Sequence, residues 1–350
     1  MVYYARLEKP GGIKLSLLPI LRMPILFIFG IVSFSLLHQN QYAISDVASE
    51  PQSALQINVL VLNFDPLIPA KDNHPLHEVY EWNDPRELAT QYMEEIKKAS
   101  GGFIRYNIAE WQDVNAFPVK KDGFVYTPET FAECWENRET CHDPDGSDYP
   151  LLLGTYGVIP RINSGEIDEL WIFGAPYFGF WESAMAGPGA FYINGGVYDS
   201  VEVDHPFVIM GFSYERGVAE MMHNLCHRTE STMERIYGGW EVDQLTTNWA
   251  RFAANAHQSN GVAAVGTCHY PPNGEGDYDY DNPRDVKSSA VDWLNYPNLT
   301  GKTEKVSCET WGGPNYHLNY MHWWFSHLPK APGVNKDGRQ NNWWKYVFDF

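Results

Sequence analysis

A continuous apolar run of strand length, residues 57–64 (INVLVLNF), opens the first two thirds of the chain, and residues 167–173 and 207–212 read as two further buried strands. A run without polar alternation is buried on both faces, which is how the strands of a mostly parallel sheet read. Residues 103–110 predict a further strand. Between it and the first, Asp84-Pro85-Arg86-Glu87 supplies a capping side chain, a proline at the first helical position and a carboxylate three residues on from the cap. Leu88, Tyr92 and Ile96 then recur at helical spacing, and Gly101-Gly102 ends the helix. Strand, helix and strand in that order predict a right-handed crossover. The expected fold is therefore α/β, a mostly parallel or mixed sheet with flanking helices, over residues 55–260. Beyond Gly261 the periodicity fades and Trp, Tyr, Asn, Pro and Gly dominate. Residues 261–350 are expected to form a loop-rich, aromatic-rich extension packed on the same domain.

The strongest pattern lies in residues 213–237, SYERGVAEMMHNLCHRTESTMERIY, which read as one helix capped by Ser213. At about 100° per residue, Arg216, Glu220, His223, His227, Glu230 and Glu234 share one face. Val218, Met221, Leu225 and Ile236 mark the other, with Thr229 and Thr232 among them. Two imidazoles at i and i+4 can grip one metal ion, and carboxylates beside them can orient ligands or move protons. A solvated surface helix has the same pattern. The position weighs toward a site, because the helix follows a buried strand and ligands gather beyond strand ends in α/β sheets. A catalytic metal needs a third protein ligand. His269, in the turn-rich GTCHYPPNG, is the first expectation and His257 the second, while Glu220 and Glu230 are the expected proton-transfer groups.

The five residues His223-Asn224-Leu225-Cys226-His227 resemble the His-Glu-x-x-His helix of zincin metallopeptidases. The resemblance covers this helix alone. It implies zinc and a peptidase-type hydrolysis, but Asn224 stands where the family has its general base, and an amide cannot take a proton from water.

Composition narrows the setting. Residues 1–43 carry Arg6, Lys9 and Lys14 ahead of an apolar run and read as a secretory signal peptide or an uncleaved anchor, followed by a polar linker over residues 44–54. A secreted or extracytoplasmic protein follows, with membrane contact only through that leader. The formal charge of −19 excludes nucleic acid as a partner, since no basic tract meets phosphates. Of five cysteines, Cys134 and Cys141 flank a short loop and predict a disulfide; Cys268 with Cys308 is the second expected pair, leaving Cys226 over.

Asp277, Asp279, Asp281 and Asp285 alternate like a calcium loop, although Asn282 and Ser288 stand where a glycine and a bidentate glutamate belong; calcium at Asp277, Asp279 and Asp281 is a further expectation. The tail tryptophans Trp293, Trp311, Trp323, Trp324, Trp343 and Trp344 either stack on sugar rings or build a core. The glycine-rich and aromatic residues 177–196 read as a substrate loop or as a tightly turned structural one. No P-loop, dinucleotide fingerprint or Gly-x-Ser-x-Gly elbow is present. The leading expectation is a secreted metal-dependent hydrolase acting on a peptide, against a non-catalytic glycan-binding or scaffold protein.

Overall fold

A computed structural model describes residues 53–349. The first apolar run becomes strand β1 (Leu55–Phe64), and Asp84 caps helix α1 (Pro85–Ala99) by accepting the Arg86 and Glu87 N–H groups. Leu88, Tyr92 and Ile96 of α1 are buried, and Gly101 and Gly102 take φ of 65° and 81°, where a side chain would be strained. Strands β2 (Ile104–Val114), β3 (Glu169–Gly174), β4 (Ser183–Ala186), β5 (Val197–Tyr198) and β6 (Phe207–Ser213) complete a six-stranded sheet in the order β2-β1-β3-β6-β4-β5. β2, β1, β3 and β6 run parallel. β4 joins antiparallel to β6 and carries β5 parallel beside it. The expected α/β fold with a mostly parallel, mixed sheet is what the chain adopts.

Helix α2 (Val218–Tyr237) follows β6 and carries both site histidines. It begins later than the sequence pattern predicts. Ser213 is still in the strand, and Gly217 occupies the capping position, its N–H donating to Glu220 Oε2 at 3.2 Å. A larger difference concerns the polar face of α2, where His223 and Glu230 are buried; Asn224 and Arg228, elsewhere on the helix, are buried too. Helices α3 (Tyr316–His327) and α4 (Trp344–Phe348) pack against α2, and α1 packs against α2 and α3. The helix is therefore sandwiched, and His223, Arg228 and Glu230 face protein rather than water, while Glu234 and Arg235 near its C-terminus stay exposed.

The described residues fall within one compact unit, Ser49–Phe350. The aromatic tail supplies much of its interior: Trp293, Trp324 and Trp343 are buried against Trp249, Phe252 and each other, and Trp344 is buried against Phe325 and Phe348. Four of the six tail tryptophans are thus unavailable to sugars. Residues 177–196 are structural in part, since they contain β4, while Glu182 at the entrance to β4 has a further place below.

Disulfides join Cys134 to Cys141 and Cys226 to Cys268, and Cys308 is a buried free thiol. The expected Cys268–Cys308 pair is corrected: the face of α2 that carries Cys226 is covered by the segment carrying Cys268, with Cα atoms 5.8 Å apart. Two disulfides fit an oxidising, extracytoplasmic compartment. Among the described residues no helix is long and apolar enough to cross a membrane, and the expected leader and most of the linker lie outside them.

Candidate metal centre

Helical spacing sets His223 and His227 one above the other on α2, and the loop after Cys268 brings His269 against them. His223 Nε2 lies 3.0 Å from His227 Nε2, which lies 3.2 Å from His269 Nε2. A metal with four imidazole-type bonds of 2.0–2.1 Å arranged tetrahedrally separates its ligand atoms by about 3.3 Å. The observed spacings match that edge, and the three residues form a group able to hold a metal ion.

Each imidazole meets a further partner at its other nitrogen. His227 Nδ1 is 3.4 Å from Glu230 Oε2, and Glu230 Oε1 accepts the Cys268 N–H at 2.8 Å. His269 Nδ1 is 2.8 Å from Asp277 Oδ1. His223 Nδ1 is 3.2 Å from His317 Nε2 and 3.4 Å from the Tyr280 hydroxyl, which donates to the Cys268 carbonyl. Partners on the Nδ1 side hold the ring and leave the Nε2 lone pair directed inward, the arrangement that metal-ligating histidines use.

Burial pushes the His223 pKa well below its ordinary value, reinforced by His227, His269, His317 and Arg216. His269 is lowered by burial and by His227, and burial with Arg216 and His269 takes His317 down to about 4. Burial also presses on His227, but the hydrogen bond and charge of Glu230, with Glu182 and Asp277, outweigh it and leave that pKa raised. Neutral imidazoles are the form that binds metal.

The structure brings together His223, His227 and His269. It places Glu230 behind His227, on the Nδ1 side, and Glu220 further out, its Oε1 3.8 Å from His317 Nδ1. His257 stacks on Tyr270, its ring parallel within 3°. Asn224 turns away from the histidines, its amide donating to the Gly211 carbonyl on β6 at 2.8 Å. Glu182, absent from the sequence-based expectation, approaches the converging nitrogens instead, with Oε2 4.0 Å from His227 Nε2 and the Asn194 amide donating to it. Its place depends on Gly211, whose N–H donates to the Glu182 carbonyl and where a Cβ would lie 2.1 Å from the Trp181 carbonyl oxygen. Only the register of β4 on β6, Ser183 opposite Met210, brings it here.

Calcium finds no support. Asp277 is engaged with His269, Asp279 Oδ2 accepts from Glu275 N and Asn282 Nδ2, and Asp285 pairs with Lys305. Among the described residues, the other group with metal-ligand spacing is Cys226, Glu230 and Cys268, whose sulfurs are joined to each other.

That disulfide links the His223/His227 helix to the residue preceding His269. Cys226→Ser/Cys268→Ser is expected to lower stability by up to about 4 kcal/mol for a loop of this length, the separation being 42 residues. Zinc affinity is expected to fall with it, because His269 loses its tether. Thermal unfolding and zinc titration of the double variant check both.

Searches against protein-family models, curated proteins and solved structures return no match for this chain.

Proposed function

We propose that this chain is an extracytoplasmic metal-dependent hydrolase, zincin-like in its two-histidine helix, with zinc held by His223, His227 and His269. One observation carries the reading: three Nε2 atoms converge at metal-ligand spacing while the Nδ1 atoms behind them are engaged by Glu230, Asp277 and the His317/Tyr280 pair. Three imidazoles from protein are a zinc donor set that leaves room for water or substrate. Bound zinc polarises a carbonyl and makes water more acidic.

The chain's own residues divide the remaining work. Asn224 is tied to the sheet and has no basic atom to offer. Glu182 is the carboxylate on the ligand-atom side, and its Oε2, steadied by Asn194, is the proton acceptor for an attacking water. Glu230 and Asp277 hold the rings of His227 and His269 in place. An amide or ester carbonyl is the bond that such a set cleaves, with peptides the first substrates to test.

Glu182→Gln is expected to retain zinc and to lower kcat on a cleaved peptide or ester by about 10²–10⁴-fold, the usual size of a general-base contribution. Metal analysis beside steady-state kinetics reads both. A wild-type rate in Glu182→Gln would remove that residue from the role. A purified protein that takes up no zinc would remove the whole reading.

A further inference from the structure

The segment read from sequence as an acidic calcium loop walls the histidine cluster. Asp277 holds His269, Tyr280 reaches His223, and Tyr278 lies between them in the chain. The Tyr278 hydroxyl is 3.2 Å from His269 Nε2, the nitrogen that faces the cluster, whereas the Tyr280 hydroxyl approaches the outward Nδ1 of His223. Tyr278 lies over both imidazoles, its ring centroid 4.5 Å from that of His269 and 5.5 Å from that of His223. Its backbone is in the left-handed region, with φ of 59°, a conformation unfavourable for a bulky side chain. Such strain persists only where the surroundings impose it, and it concentrates at functional sites. Here the Tyr278 N–H donates to the His269 carbonyl at 2.9 Å and the Tyr280 N–H to the Tyr278 carbonyl at 2.9 Å, pinning the strained residue to the segment that carries the third histidine. Tyr278 nonetheless keeps 42 % of its surface exposed, so the ring lies at the mouth of the site rather than in the core.

Resting on the metal reading above, we propose that Tyr278 is the fourth protein ligand, giving a three-histidine, one-tyrosine centre. The 3.2 Å between its oxygen and His269 Nε2 equals the edge already spanned by His227 and His269. On coordination the phenol oxygen donates an electron pair to the ion and its proton leaves to solvent. The position that the three histidines leave open is then taken in turn by water or substrate and by this displaceable side chain at the mouth.

Copper(II) tests this without a substrate, because a phenolate bound to copper absorbs visible light by charge transfer and an imidazole set alone does not. Metal-free protein titrated with copper(II) is expected to bind about one ion and to develop that band. Resonance Raman excitation within it should show phenolate ring vibrations. Tyr278→Phe should bind the same amount of copper through the three histidines and lose the band. Its zinc affinity should fall by at least the roughly 10–100-fold that loss of an outer-shell partner brings. Copper bound without a phenolate band in the wild-type protein, or a band that survives in Tyr278→Phe, overturns the assignment and leaves the histidine site standing. Failure to bind copper at all overturns both. Should Tyr278→Phe not fold, the Raman measurement on the wild-type protein decides alone.

Discussion

Alanine at both His223 and His227 is expected to take zinc from about one ion per chain to none, and to do so without unfolding the metal-free protein. The expectation rests on how the imidazoles are arranged. Three Nε2 atoms at 3.0 and 3.2 Å crowd their lone pairs into one place, which is unfavourable unless a proton or a cation lies among them. Removing two rings relieves that crowding at the expense of some packing and of a partner for Glu230. With zinc present the comparison inverts. Binding only the folded state stabilises it by about 4 kcal/mol at a free concentration one thousand times the dissociation constant, and the variant forgoes all of it. The melting-temperature gap between wild type and His223→Ala/His227→Ala should therefore open on adding zinc and close with a chelator. If the histidines only filled space, the gap would be the same in both conditions. Plasma mass spectrometry of the two proteins supplies the stoichiometry, and calorimetric scans with and without zinc supply the gap.

The signals that survive in a single sequence are those written in local spacing. The first and last of the buried strands were legible because INVLVLNF and residues 207–212 have no polar alternation, and α1 because Asp84, Pro85 and Glu87 meet the needs of a helix start. His223 and His227 were legible for the same reason, since four residues make about one turn. His269 could be singled out as a histidine held among turns. Other site residues depend on contacts that no spacing encodes. Glu182 arrives through the antiparallel register of β4 on β6, and His317 through the packing of α3 on α2. Asp277 and Asp279 alternate as calcium ligands would, yet they serve separate partners. Periodicity also says which residues share a face of α2, but not what covers it. The helix thus looked half solvated, although the 261–350 segment buries His223, Arg228 and Glu230.

Glu169→Ala is expected to be among the most damaging single changes in the fold, acting from strand β3 on Arg228 of the helix that carries the histidines. Arg228, fully buried on α2, donates through Nη2 to Glu169 Oε1 on β3 at 2.7 Å. The same group donates to the Val347 carbonyl of α4 at 2.6 Å, with Nε adding a bond of 3.1 Å, and the guanidinium lies 4.6 Å over the Phe348 ring. The Tyr106 hydroxyl of β2 donates to the other Glu169 oxygen at 3.1 Å. One ion pair thus ties sheet, long helix and C-terminal helix together. Removing the carboxylate leaves a buried guanidinium without its counter-charge, a loss of about 3–5 kcal/mol set against a total stability of about 5–15 kcal/mol. Arg228→Met strands the glutamate in the same way and should lose a similar amount. The double change Glu169→Ala/Arg228→Met should lose far less than the two single losses combined, because two desolvated charges disappear together and no buried charge is left without its partner. Urea unfolding midpoints of the four proteins close the cycle. Additive losses would mean that the pair is not coupled, and that the helix is held to the sheet by its apolar contacts alone.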